Sequence, residues 1–474
     1  MKLYHIKEPL LEFGRGTHVC PKAGITNYDV YDTKLNARRE KILVGAVGTS
    51  DILSKLHTWL DKCSRLIPAK PDRNQPNLYP SFCGFNREVG FKASLAMEEE
   101  ITRKLNNSDI QRIIKINDWN ERVNAAVEMY YRQVKFLAQN RVVDVIVCII
   151  PTELFDKLVK EEKKLIEETI EDEQPNDILE TNFRRALKAK TMPLDKPLQI
   201  VRELSLESNA KTQQDDATKA WNFCTALYYK ANRTVPWKLI TNINRPSICF
   251  VGISFYRSRD RKVLHTSLAQ IFDELGNSVI LRGTPVDINK EDRRPHLTSE
   301  QAYHLLKQAI TEYDIALSNS PGRLVIHKSS NYNDAELEGF REAADEMRVR
   351  TIDFVTILDT DMRLLRDGEY PPYRGTHIEL DKNTHLLYTR GAVEYYKTYT
   401  GLYIPQPLEI RIVESDESPG VICQEILSLT KMNWNNTQFD GKYPITVECA
   451  RKVGQAMKYL SENEKPQISY SFYM

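Results

Sequence analysis

The chain has 474 residues, 41% of them hydrophobic and 28% charged, with a formal net charge of +1. That length supports two or three domains with cores of their own, and the composition is that of a soluble globular protein rather than a disordered or fibrous one. No apolar run approaches the roughly 20 residues of a membrane span; the opening MKLYHIKEPLLEF lacks a signal-peptide core; the eight scattered cysteines form no C-x-x-C pair for zinc or redox chemistry. These features point to a reducing cytoplasm. The near-neutral total leaves room for a basic groove balanced by acidic outer faces.

Residues 1–65 read as extended segments and turns followed by a helix, with Lys41–Val47 a buried strand and Ser50 the N-cap of a helix from Asp51. The Pro-, Asn- and Lys-rich stretch Ile67–Pro80 is a connection. Helical spacing over Trp119–Gln139 leads to the apolar run Val142–Ile150, closed by Pro151, which fits a strand of a parallel sheet. The Glu/Lys-dense segment 153–180 has the pattern of a solvated charged helix. Strand–helix alternation resumes near 197 and again near 247. There Ile248–Ile253 is predicted as strand, Thr266–Leu275 as helix, Ser278–Leu281 as strand, Ser299–Thr311 as helix and Arg323–His327 as strand. A final helix is predicted over Ile445–Leu460. The fold class is α/β, with two α/β domains behind a smaller lead-in.

Two features carry chemistry. The first lies between 184 and 230. NFRRALKAK places Arg184 and Lys188 on one helical face, PLQIV offers the amide of Gln199, and WNFCTALYYKANRTVPW delivers Lys230 at the end of a helix. Cations from separate elements plus an amide suit a terminal phosphate, which carries close to two negative charges and several acceptor oxygens. An i,i+4 basic pair is by itself a common solvated face. The order and spacing of the whole set resemble the MID domain of Argonaute proteins, where such residues bind the 5′-phosphate of a guide strand. Carried over residue by residue, the resemblance implies that role for Arg184, Lys188, Gln199 and Lys230, with Asn222 as a polar residue on the last helix. Arg184 stands where Tyr or His is commoner and Ala226 where some members have Lys, which bears on first-nucleotide preference. In many prokaryotic members the C-terminal carboxylate helps hold a divalent ion at this pocket. By that resemblance Met474 is a metal ligand and Mg²⁺ the cofactor.

The second feature is a set of missing acids. SICFVGISFYRS resembles the leading strand V-G-I-D-x-S of the RNase H-like PIWI domain, with Ser254 at the Asp position. GRLVIHKSS resembles VIHRDG, with Ser329 at the second Asp. The segment around ECARKVGQAM resembles the context of the final His or Asp, with Arg451 in its place. Glu291 is the one Glu near the position of the mobile glutamate. Two metal ions about 4 Å apart need several oxygen or imidazole ligands, and two serines and an arginine cannot supply them. The reading is a PIWI-like domain without catalytic residues. Basic and aromatic residues in YPPYRGTHIELD, HLLYTRGAVEYYKTYTGLY and RSRDRK are suited to phosphate and sugar contacts.

The likeness extends over nearly the whole chain and leaves no room for N and PAZ domains, so it is similar to the short prokaryotic Argonautes. Residues 1–120 are then a linker-like lead-in, 121–245 a MID domain and 246–474 a PIWI domain. The resemblance implies a guide RNA, a complementary target DNA and a heterodimeric APAZ-containing partner. That partner bears a sirtuin-like or TIR NAD-degrading effector, switched on by target binding in abortive infection. The alternatives are a guide-directed nuclease using displaced carboxylates such as Asp260 or Glu336, and a structural subunit with a decayed groove.

Overall fold

The computed structural model describes residues 1–35, 38–70, 75–160, 182–207, 214–240, 246–271, 278–286, 295–318, 320–368, 371–399, 401, 404–437, 441–460, 464 and 466–474. Most of the charged segment 153–180, and Glu291, lie outside the described residues.

A short strand, β1 (Lys2–His5), precedes the first α/β unit. That unit comprises β2 (Lys41–Gly48), α1 (Ser50–Cys63), β3 (Ser94–Ala96), β4 (Thr102–Lys104), α2 (Trp119–Asn140), β5 (Val145–Ile150), α3 (Phe183–Thr191), β6 (Leu198–Arg202) and α4 (Asp216–Asn232). Its sheet is wholly parallel. β2 pairs with β5 on one side and with β3 and then β4 on the other, and β5 pairs with β6. All six residues of β5 are buried, as expected for a parallel strand covered on both faces. Leu56 and Trp59 of α1 share one core with Trp221 and Tyr228 of α4. Val123 and Tyr130 of α2 share another with Phe183 and Leu187 of α3. Three of these helices start at satisfied caps: Asp118 accepts from the Glu121 amide, Asn182 from that of Arg185 and Asp215 from that of Thr218. α1 instead starts with Thr49 at the N-cap, without a side-chain bond, and Ser50 is its first helical residue. The expected boundary at 121 needs correction. β2 sits inside this sheet, so the unit begins near Lys41; parallel pairing joins strands about a hundred residues apart, which a reading in chain order does not reveal.

The second unit is built on β7 (Ile248–Arg257), β8 (Leu264–Ile271), β9 (Ser278–Val286), α5 (Ser299–Leu317), β10 (Arg323–Lys328), α6 (Asp334–Glu346), β11 (Thr351–Asp359), β12 (Thr376–Glu379), β13 (Thr384–Leu387), β14 (Leu408–Glu414), α7 (Pro419–Leu429) and α8 (Ile445–Met457). The nine-stranded sheet has the order β1-β12-β13-β14-β11-β10-β7-β8-β9. β7, β8 and β9 form an antiparallel meander, and β10 and β11 add to β7 in parallel. α5 and α6 cover one face and α7 and α8 pack on the other. Gly252 of β7 lies under the start of α8: a side-chain carbon there would run into the main chain of Thr446. The first strand of the chain closes this sheet, Lys2 standing opposite Glu379. Nearby, Glu8 is held by Arg374 at 3.0 Å and Lys431 at 3.1 Å.

The predicted helix Thr266–Leu275 is corrected: residues up to Ile271 form β8. HTSLAQI carries apolar residues at spacings that suit either state, and pairing along both edges, with β7 and β9, decides for strand. In residues 371–399, which span most of two of the three segments expected to touch nucleic acid, several of the basic and aromatic side chains are structural. Arg374 is 2% exposed and bonded to Glu8, Leu427 O and Thr430. Tyr396 is buried against Cys20, and His377 and His385 pair inside the sheet at 3.2 Å. The eight cysteines are free thiols and all but Cys83 are buried. Among the described residues no helix is long and apolar enough to cross a membrane.

Candidate functional site

Four of the residues singled out around 184–230 converge between α3, β6 and α4. Lys230 is 2% exposed and donates to Gln199 Oε1 at 2.5 Å. Lys188 donates to the main-chain oxygen of Met474; Tyr470, Phe472, Tyr473 and Met474 are buried, so the chain end is docked. Arg184 lies beside them, its guanidinium 5.9 Å from the Phe155 ring, over which Arg202 also sits at 3.9 Å. Arg184, Arg202, Phe155 and Asn182 are among the residues lining a cavity of about 110 Å³. Both lysines stand in the last turn of their helices, where the helix dipole favours a cation.

The cluster is under-neutralised. Burial, with Arg184, Lys452 and Arg185 facing it, pushes the Lys188 ammonium down to about 7. Burial and the charges of Lys188, Lys452 and Arg184 press Lys230 well below the usual lysine range. Arg184 is lowered by burial and by Arg202. Such a site gains by taking up an anion that satisfies several of these donors at once. Lys452 was not singled out from the sequence. It comes from α8 of the second unit, paired with Glu448 at 3.0 Å, and adjacent Arg451 and Lys452 point to different neighbours because successive helical positions diverge by about 100°. Asn222 stands apart. It lies two turns before Lys230, about 12 Å along the axis, and its Oδ1 accepts from the amide and hydroxyl of Thr437.

Ser254, Ser329 and Arg451 fall on elements that pack together. The Ser329 amide donates to Ile253 O at 3.3 Å, and Ser267 Oγ bridges Ser254 O and Ala450 O. Ser254 is 4% exposed. Arg451 lies 4.0 Å over the Tyr443 ring and 3.9 Å from Asp359, which also binds Lys442 at 2.5 Å and Tyr443 Oη. Burial opposes ionisation of Asp359, but the Lys442 and Tyr443 hydrogen bonds outweigh it and hold the carboxyl below its ordinary range. Glu336, one candidate for a displaced carboxylate, is fully buried and taken by Lys328 at 2.5 and 2.6 Å and by the Leu297 amide. Asp260, the other, caps a surface turn, accepting from Ser258 and the Lys262 amide. Among the described residues no three His, Cys, Asp or Glu side chains gather as a metal-holding set.

No family model matches the sequence. A curated relative, the protein argonaute of Aquifex aeolicus, is 25% identical over 232 residues, which are 47% of this chain and 29% of that protein. Among solved structures, Clostridium butyricum Argonaute bound to a guide DNA and a 19-mer target DNA matches 98% of this chain with a TM-score of 0.68 at 14% identity. A. aeolicus Argonaute with externally bound siRNA matches at 0.59 and 15%, and Marinitoga piezophila Argonaute in complex with a 5′ OH guide RNA at 0.56 and 14%. The chain spans about half the length of these structures, between 53% and 59%. The chain is thus similar in sequence to one Argonaute protein over about half its length and shares the mixed α/β fold of the Argonaute structures.

Proposed function

We propose that this Argonaute relative holds a nucleic-acid guide by a phosphorylated 5′ end and recognises a complementary target without cutting it. The observation that carries the reading is the buried cation cluster of Arg184, Lys188 and Lys230 with the Gln199 amide. A terminal phosphate would accept from both ammoniums and the amide together. It would displace the Lys188–Met474 and Lys230–Gln199 contacts rather than enter a preformed void. A divalent ion beside it would take the Met474 chain end as a ligand, with phosphate oxygens supplying others. Such an ion would offset repulsion between neighbouring phosphates, while the lysines orient the strand end.

Ser254, Ser329 and Arg451 support binding without hydrolysis, because two hydroxyls and a guanidinium cannot replace the carboxylates that hold a pair of metal ions, and Arg451 is turned to Asp359. Sequence specificity would come from base pairing, the protein reading backbone and strand end; RNA-guided DNA effectors divide the task in the same way. The resemblance to short Argonautes extends the proposal to an RNA guide, a DNA target and an APAZ-containing partner whose NAD-degrading effector responds to target binding in an immune role.

The test is guide binding by the full chain, comparing 5′-phosphorylated with 5′-hydroxyl strands, with and without Mg²⁺. Preference for the phosphate that disappears in Lys188→Ala and Lys230→Ala is expected. Equal affinity for both ends would remove the assignment and favour a hydroxyl-ended guide, the kind present in the M. piezophila structure. Guide-dependent cleavage in Mg²⁺ or Mn²⁺ would overturn the non-cutting half independently.

A further inference from the structure

The basic hairpin at residues 257–262 lies outside both the cation cluster and the Ser254, Ser329 and Arg451 set. β7 runs to Arg257, yet its parallel pairing with β10 stops at Ile253. Ser254–Arg257 pair only with β8, which is itself paired with β9 as far as Leu264 opposite Val286. The antiparallel meander therefore extends as an arm about 13 Å past the parallel core, with the β7–β8 turn at its tip. It is stiffened at its base: Tyr256 stacks on His265 with ring centroids 5.4 Å apart and is backed by Gly454 of α8. The turn closes through Ser258 N to Val263 O at 2.7 Å, with Arg261 in the left-handed region at φ 58°. Arg259 lies 4.9 Å from the Tyr459 ring, just past the end of α8.

The tip holds Arg257, Arg259, Arg261 and Lys262 together with the carboxylate of Asp260, which the turn itself engages through the Lys262 amide and Ser258 hydroxyl. Arg257, Arg261 and Lys262 are exposed, and among the described residues of the turn Val263, at 40%, is the one exposed large apolar side chain. A protein partner would need an apolar or aromatic centre to dock on, and the cores of such interfaces are depleted in charge. A concentrated positive tip without that centre is the footprint of a phosphate backbone. Its position agrees, because α8 carries Lys452 in the cluster and ends at the arm, on the order of 10 Å further along the helix.

We infer that the β7–β8 arm is a second, sequence-independent contact for the phosphate backbone of a nucleic-acid strand. The inference deepens the proposed function but is read by a different observable. Each phosphate neutralised by a cation adds about 0.7 to the salt slope of log affinity for a single strand. The variant Arg257→Ala/Arg261→Ala/Lys262→Ala should therefore lose about 2 from that slope and on the order of tenfold or more in affinity at moderate salt. Its phosphate-over-hydroxyl preference should stay unchanged. The charge-keeping pair Arg257→Lys/Arg261→Lys should retain the wild-type slope, which separates charge from folding.

The measurement is a titration of the full chain with 5′-phosphorylated and 5′-hydroxyl strands across a salt series. An unchanged slope in the triple alanine variant overturns the inference and leaves the cluster reading intact. A slope that falls as expected, in a protein with no phosphate preference, supports the arm and removes the cluster reading. Wild-type protein that binds neither strand overturns both. Polyglutamate bound more tightly than the strands, and released by the triple variant, assigns the arm to an acidic polypeptide and also overturns it.

Discussion

Lys188 and Met474, 286 positions apart in sequence, meet at one point, the ammonium donating to the main-chain oxygen of the final residue. A cation from the first unit and the last residue of the second thus occupy the same spot. Any anion entering the cluster competes with that oxygen for Lys188.

Guide affinity should depend on pH with a definite sign. Lys188 sits at about 7 and Lys230 well below the ordinary lysine range, so a bound phosphate must draw protons onto them at higher pH. Affinity for a 5′-phosphorylated strand should weaken above pH 7, by up to about tenfold per pH unit for each proton taken up. It should also weaken below about pH 6, where the phosphate loses its second charge. Isothermal titration in buffers of different ionisation heat reads the proton uptake directly; a flat profile from pH 6 to 9 would contradict the buried cluster.

Stability of the strand-free protein should move the opposite way. Both lysines bind fewer protons folded than unfolded, so unfolding free energy rises with pH from about 7 towards the usual lysine range. Lys230→Met removes an uncompensated buried charge and should raise the melting temperature while lowering strand affinity by about ten- to a hundredfold. A melting temperature lowered by that substitution would mean that the ammonium is better paired than its surroundings indicate.

Glu336→Ala should be among the most damaging single changes. It strands the fully buried Lys328 ammonium and frees the Leu297 amide, a loss of about 3–5 kcal/mol by analogy with other broken buried pairs. Urea denaturation measures it. An unchanged midpoint would show that Lys328 finds another partner.

Gly252→Ala tests the crossing of β7 and α8. The added carbon would meet the Thr446 main chain, not a movable side-chain tip, so α8 must shift with Thr446 and its bond to His327. Overpacking of that kind costs about 1–3 kcal/mol. Because α8 also carries Lys452, phosphate discrimination should fall along with stability; loss of stability alone would mean that the helix does not set the cluster's geometry.

Much of this was legible in the sequence. Caps, periodicity and apolar runs located α2, β5, β7, β10 and α8 to within a few residues, because each is specified by local pattern and its own burial. Arg184, Lys188, Gln199 and Lys230 could be grouped because their order along the chain carries the relation. What escaped depends on distant partners. β8 became a strand through two neighbours, β2 entered a sheet assembled around β5, and Lys452 reached the cluster from another unit. Asn222, placed on the right helix, turned out to serve Thr437. The aromatic and basic stretch at 371–399 looked like a surface, yet Arg374 is spent on Glu8 and Thr430.

The opening strand has a consequence for synthesis. Tyr4 bonds to Glu379, 375 positions later, and ribosomes add about 5–20 residues per second. The first residues therefore wait on the order of tens of seconds for their pairing edge to be translated. The unit between them can mature in the meantime. Until then the strand and Ile6 just behind it, which packs on the core of the second unit, are where a holding chaperone has both the time and the apolar handle to engage.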